Sequence, residues 1–104
     1  MLEVKRKALP KSVRMAVYQK CNGHCAYCGC NLEYKDMQVD HVIPLNGWNE
    51  QGTDTVDNML PACRSCNHYK SRSTLEGFRK MVAAMPDTLM RDNITYKNAV
   101  RFGL

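Results

Sequence analysis

Apolar residues along this chain come in short bursts, and the period of the bursts changes. Val13, Ala16 and Val17 fall on one side of a helical repeat, and Ser12 stands where an N-cap belongs, so a helix is predicted over about 13–20. Asn22-Gly23 ends it. The run from Glu33 to Ile43 holds a strand that closes on Val39-Asp40-His41-Val42, and Pro44 makes the chain irregular beyond it. Residues 45–57, LNGWNEQGTDTVD, read as a polar loop. Its one large apolar residue, Trp48, reads as a loop anchor, with base stacking as the alternative. Asn58-Met59-Leu60 is a short second strand, stopped by Pro61. A helix begins near Cys63 and runs to about Lys70. Ser73-Thr74-Leu75-Glu76 has the pattern of a capping box for another helix, whose Leu75, Phe78, Val82 and Met85 recur on one buried face. Pro86 is predicted to break that helix, and a last one covers 93–101.

These elements fit in 104 residues, enough for one domain with one small core. The chain divides into a basic arm (1–9), a central domain (10–86) and a C-terminal helical extension (87–104). No apolar run is long enough to cross a membrane, and the basic N-terminus lacks a signal-peptide core, so a cytoplasmic location is expected. In that setting six cysteines argue for metal more than for disulfides. Four form two C-x-x-C pairs, Cys25/Cys28 and Cys63/Cys66. Two thiolates from each turn complete a tetrahedron around one Zn²⁺, which would supply folding free energy to so small a core. Cys21 and Cys30 are left over and read as free thiols, although Cys30 lies only two residues past Cys28 and is the alternative ligand.

Charge adds a second pattern. The net charge is +5, made of basic ends around an acidic centre: residues 1–20 carry net +5, residues 21–62 net −5 and residues 63–104 net +5. Basic ends suit a polyanion and an acidic centre suits a cation, while ordinary solvated charge explains the composition about as well. Spacing on the predicted helix is more informative. Cys63 and Cys66 share a face, and Asn67 is turned about 100° from Cys66. One helix can therefore offer thiolates on one side and an amide oxygen on another. Arg64 and Lys70 flank Asn67 at three residues on either side. Asp40 and His41, being adjacent, point to opposite faces of an extended strand, and meet one ligand only if the chain bends there.

The ordered set Cys25, Cys28, Asp40, His41, Pro44, Asn58, Cys63, Cys66, Asn67 and Lys70 resembles the HNH endonucleases, from about Cys25 to Lys70. The resemblance implies an α+β fold, a small ββα-metal finger stabilised by a four-cysteine zinc with flanking helices. It implies that His41 is the general base and Asp40 a ligand of the catalytic metal. Asn58 would brace the loop that holds the histidine, and Asn67 would be the second metal ligand. The motif reads H-N-N here, because Asn67 stands where many members carry a third histidine. Together with Asp40 it makes an all-oxygen set, which favours Mg²⁺ or Mn²⁺ over softer ions. His68 is turned about 100° from Asn67 and reads as a surface or DNA-facing residue. His24, inside the first knuckle, is superfluous beside four cysteines.

The activity implied is one-metal hydrolysis of DNA phosphodiester bonds, leaving 5′-phosphate and 3′-hydroxyl ends. Lys70, Arg64 and Arg72 are the candidate nucleic-acid contacts, with solvated helix cations as the plainer reading. A single site cuts one strand at a time, so a homodimer or a larger protein partner is also to be considered. Small HNH proteins often come from phages and mobile elements, which by resemblance extends the expectation to action in a host cytoplasm. The competing reading is an HNH-fold zinc protein that binds DNA or a protein without catalysis, as a regulator or inhibitor.

Overall fold

A computed structural model of the chain describes residues 8–46 and 51–104. Trp48 and most of the basic N-terminal arm lie outside the described residues. Among the described residues, four α-helices, α1 (Lys11–Gln19), α2 (Arg64–Lys70), α3 (Leu75–Asp92) and α4 (Ile94–Arg101), accompany two strands, β1 (Gln38–His41) and β2 (Met59–Ala62). The strands pair antiparallel, with Gln38 opposite Ala62, Val39 opposite Pro61, Asp40 opposite Leu60 and His41 opposite Met59. With α2 following β2, this is the expected α+β class built on a small ββα unit.

Pro61 lies within β2 rather than ending it. The Val42 N–H donates to the Asn58 carbonyl at 2.9 Å, which makes that pair a hydrogen-bonded one. Alternation then puts Val39–Pro61 among the pairs whose N–H and C=O groups face outward. A proline there costs the ladder nothing. Its outward carbonyl instead accepts from the Ala26 N–H at 2.9 Å, tying the first cysteine knuckle to the sheet.

The core is Val17, Leu32, Met37 and Met59, with Val13, Tyr18, Tyr34, Val39 and Val56 packed around it. Helix α1 begins two residues before the expected start. Its N-cap is Pro10, not Ser12, and the cap makes no side-chain hydrogen bond. Proline sets the backbone angle for a helix entrance without needing an N–H of its own. Val17 is buried but Ala16 is exposed, so the apolar stripe is narrower than its spacing suggested. After α1 the chain reverses through Asn22 (φ 52°) and Gly23 (φ 79°). The Tyr18 hydroxyl then donates to the Leu32 carbonyl at 2.7 Å and pins the knuckle's return.

Helix α3 departs from expectation in three ways. Thr74, not Ser73, is the cap: its Oγ1 accepts from the Gly77 N–H at 3.1 Å, and Glu76 pairs with Arg79 at 3.7 Å instead of reaching back. Pro86 does not break the helix, so the expected boundary at 86 falls inside α3. The proline removes one bond, to the Val82 carbonyl, and clashes locally. Val82 and Pro86 are both exposed, which leaves that carbonyl open to water, and the methionine- and alanine-rich surroundings favour helix. Finally, only Phe78 of the predicted apolar face is buried; Leu75 and Met85 are half-buried and Val82 is 44% exposed.

Candidate functional site

The first knuckle, Cys25 to Cys30, is closed by backbone bonds from Gly29 N–H to Cys25 O (3.0 Å) and from Cys25 N–H to Cys30 O (2.9 Å). Gly29 takes φ 78°, a left-handed turn that favours glycine. The second knuckle caps α2: Cys63 is its N-cap residue, and its Sγ accepts from the Cys66 N–H at 3.4 Å. Cys28 Sγ and Cys63 Sγ lie 3.9 Å apart. Tetrahedral zinc with Zn–S bonds of about 2.3 Å needs sulfurs about 3.8 Å apart, so that separation fits. Burial raises the Cys25 thiol pKa, but the backbone N–H groups of Cys28, Cys63 and Tyr27 outweigh it and bring it down to about 6. The backbone is thus arranged to hold a thiolate, the form a metal binds. Burial and hydrogen bonding to neighbouring sulfurs push Cys66 up, and hydrogen bonding to Cys28 pushes Cys30 up to about 12. The Sγ atoms that lie within 4.8 Å of one another are those of Cys25, Cys28, Cys30 and Cys63, so Cys30, expected as a leftover thiol, stands in the group where Cys66 was expected; this cluster can hold a metal such as zinc.

The other cluster gathers at the end of β1. Gln38 and Asp40 alternate onto the face that α2 covers, where they meet Asn67 and Lys70, one helical turn apart. Asn67 Nδ2 donates to Gln38 Oε1 at 2.7 Å. Lys70, with no exposed surface, places its Nζ 3.1 Å from Asp40 Oδ2 and 3.1 Å from the His41 carbonyl. The Tyr27 hydroxyl also donates to Asp40 Oδ2. Burial, and then this bond, push the Tyr27 pKa well up, so the phenol remains a donor. Lys70 is therefore a buried counter-ion to Asp40. The expectation that it reaches a substrate phosphate fails because α2 lies directly on β1.

His41 looks the other way. Its Nε2 is 2.8 Å from Asp54 Oδ1, in the loop between the strands. A carboxylate only accepts, so Nε2 carries the proton and Nδ1 is the free lone pair. That Nδ1 is buried and has no hydrogen-bond partner among the described residues. Asn58 ties the loop down from inside. Its Oδ1 accepts from the Ile43 N–H at 2.9 Å, and its Nδ2 donates to the carbonyls of Ile43 (2.9 Å) and Thr53 (2.8 Å). Thr53 immediately precedes Asp54, so Asn58 fixes both sides of the histidine's surroundings. Gly52 is required there: a Cβ would lie 1.8 Å from the Ile43 carbonyl oxygen. The chain bends at Val42–Ile43, directly after His41.

Residues 25–73 match the HNH endonuclease family. The chain carries an HNH domain. A CRISPR-associated endonuclease Cas9 of Corynebacterium diphtheriae is 33% identical over 55 residues, which are 53% of this chain and 5% of that protein. An SPbeta prophage-derived putative HNH endonuclease of Bacillus subtilis, YoqL, is 31% identical over 62 residues, 51% of this chain and 27% of that protein. The crystal structure of the type II-C Cas9 from Actinomyces naeslundii superposes with a TM-score of 0.59 at 24% identity, covering 67% of this chain and 8% of that one. The chain thus spans about a quarter or less of the relatives it matches, and what they share with it is the HNH domain and its fold.

The HNH domain offers two donor sets of different chemistry. Sulfur, with N–H groups aimed at Cys25, suits zinc. Oxygen, from Asp40 and Asn67, suits a hard divalent cation. A carboxylate has about four acceptor positions, so Tyr27 and Lys70 do not exhaust Asp40. With Nδ2 of Asn67 engaged by Gln38, the atom Asn67 can offer is Oδ1. Arg64 and His68 are exposed on α2, and Arg72 is exposed just beyond it. Two residues of the site escaped the sequence reading. Asp54 carried a signal only in standing four residues before Asn58 in a polar loop. Tyr27 sits inside the C-x-x-C knuckle, where ligand spacing drew the attention instead.

Proposed function

We propose that this HNH domain is a metal-dependent DNA endonuclease. The observation that carries the reading is His41, held by Asp54 through Nε2 with a buried, unpartnered Nδ1. Buried polar atoms are rarely left unbonded, because each costs about 1–3 kcal/mol. An orphaned acceptor on an oriented imidazole is what a general base requires. Here Nδ1 of His41 takes the proton from the water that attacks phosphorus. Asp54 stabilises the imidazolium that results, and Asn58 keeps the two loop segments in register.

Asp40 and Asn67 would hold a Mg²⁺ or Mn²⁺ ion, and the chemistry it supplies is stabilisation of negative charge on the phosphate and on the leaving 3′ oxygen. Lys70 and Tyr27 fix the carboxylate of Asp40 from behind, so its orientation does not depend on the ion. The products on this reading carry 5′-phosphate and 3′-hydroxyl ends. Arg64 and Arg72 lie at the exposed side of α2 and beyond it, suited to flanking phosphates. The zinc of the Cys25, Cys28, Cys63 and Cys66 set is structural: it joins the knuckle to the cap of α2, the helix that carries Asn67 and Lys70.

Incubating supercoiled plasmid with pure protein and Mg²⁺, Mn²⁺ or EDTA tests the reading. Metal-dependent nicking is expected, and His41→Ala should lower its rate by about 10²–10⁴-fold. Absence of cleavage with every metal, in protein that is folded and zinc-loaded, would sink the endonuclease reading.

A further inference from the structure

The cysteine cluster contains more sulfur than zinc can use. The Sγ atoms of Cys25, Cys28, Cys30 and Cys63 all lie within 4.8 Å of one another, a metal-sized group that includes Cys30. Cys66 is not one of these four, but its backbone N–H donates to Cys63 Sγ at 3.4 Å, which places it at the edge of the group. With Cys66 beside the four, the chain offers five thiols where a structural zinc takes four. The convergence of Cys30 is built by the backbone. Gly29 turns the chain back at φ 78°, with nothing within 4 Å of where its Cβ would be, so the glycine serves the turn and not a close contact. The Cys30 carbonyl then accepts from the Cys25 N–H at 2.9 Å, and its Sγ lies within 4.8 Å of those of Cys28 and Cys63.

Resting on the zinc reading above, we propose that Cys30 is a fifth, exchangeable ligand of this site. Cys25, Cys28 and Cys63 are constant, and the fourth position is taken by either Cys30 or Cys66. The two states differ in what the metal ties together. With Cys66 bound, zinc grips α2 at its cap and again one turn in, next to Asn67. With Cys30 bound, the metal closes on the first knuckle and holds α2 by Cys63 alone. Exchange thus adjusts how firmly Asn67 and Lys70 are pressed against Gln38 and Asp40. The exposed positions are consistent: Cys30 lies at the surface and Cys66 is half-buried, so one partner can leave to solvent while the other stays.

The test compares wild type with Cys30→Ser, Cys66→Ser and the double variant. Zinc per chain is measured by metal analysis, and the thiolate count by the sulfur-to-cobalt charge-transfer absorbance of the Co²⁺-substituted proteins. Each single variant should keep one zinc and a four-thiolate cobalt spectrum. The double variant should fall to a three-thiolate spectrum and lose at least about tenfold in zinc affinity, an energy of about 1.4 kcal/mol. If Cys66→Ser alone behaves like the double variant, or fails to fold, Cys30 is no substitute and the proposal is overturned. If Cys30→Ser alone loses a thiolate, Cys30 is an obligatory ligand and exchange is overturned.

A second measurement needs no variant. In zinc-loaded wild type, N-ethylmaleimide should label Cys30 and Cys66 each in part, with one label shared between them per chain. Complete labelling confined to Cys30 overturns the exchange. Wild-type protein that binds neither zinc nor cobalt overturns the zinc reading itself, an outcome distinct from each of these.

Discussion

The ββα unit and the C-terminal helices are built on opposite principles. Around β1 and β2 almost every polar group has an assigned partner, often a long way off in sequence: Asp40 with Lys70, His41 with Asp54, Asn58 with Ile43 and Thr53. From Val82 onward, α3 and α4 instead leave large apolar side chains in the open, with Ile94 74% and Phe102 76% exposed. The first region has too small an apolar core to stand on burial alone, so directed contacts specify it, together with the metal that its cysteine cluster can hold. The second is held by local helix bonds and caps, such as Asn93 Oδ1 on the Tyr96 N–H at 2.9 Å. Changes in the first region should therefore be costly in proportion to the partner they orphan, and changes in the second should be mild.

The sharpest way to break this contrast is Cys25→Ser. Structural zinc is worth about 10–16 kcal/mol in small zinc domains, against total stabilities of about 5–15 kcal/mol. Circular dichroism and zinc analysis should show the ββα unit unfolded and the metal lost, and a folded, zinc-free protein would remove the metal from the account of the fold. Next comes Asp54→Ala, which frees the His41 ring to rotate. Nicking should slow by on the order of 10²-fold, as misplacement of a reacting group by an ångström does, and the buried Nε2–H left without a partner should cost about 1–3 kcal/mol of stability. Loss of stability without loss of rate would make Asp54 a purely structural partner. Gly52→Ala pushes a methyl into the Ile43 carbonyl and the Asn58 amide. It should cost about 1–3 kcal/mol in denaturant unfolding, and an unchanged midpoint would mean the loop yields freely. Smallest of all is Phe102→Ser, expected to change stability by no more than about 0.5 kcal/mol; a larger loss would show that the C-terminal helices are packed more tightly than their exposure implies.

Legibility followed the same divide. The two C-x-x-C pairs, the position of β1 and the span of α2 could be read because each depends on residues within a turn or two of one another. The burial of Lys70 could not. It depends on α2 folding onto β1 across 30 residues, and an isolated N-x-x-K on a helix looks like any solvated lysine. Asp54 was hidden for a similar reason: loop length between a histidine and its orienting carboxylate obeys no fixed spacing. Pro61 and Pro86 misled in a different way. Proline states what its own nitrogen cannot donate, but the cost depends on whether that N–H would have had a partner. At 61 it faced out of the ladder, and at 86 the widowed carbonyl lies beside exposed helix.

The salt bridge inside the ββα unit bears on how a silenced form of this protein should be made. Replacing Asp40 by Asn is the obvious choice for an inactive control in the plasmid test proposed above. Lys70 turns that choice into a folding problem, since its ammonium would be left enclosed with no opposing charge. Breaking one side of such a pair costs about 3–5 kcal/mol, much of what a domain this size has. An inactive control that still folds should keep the aspartate and change the histidine on the other side of the strand.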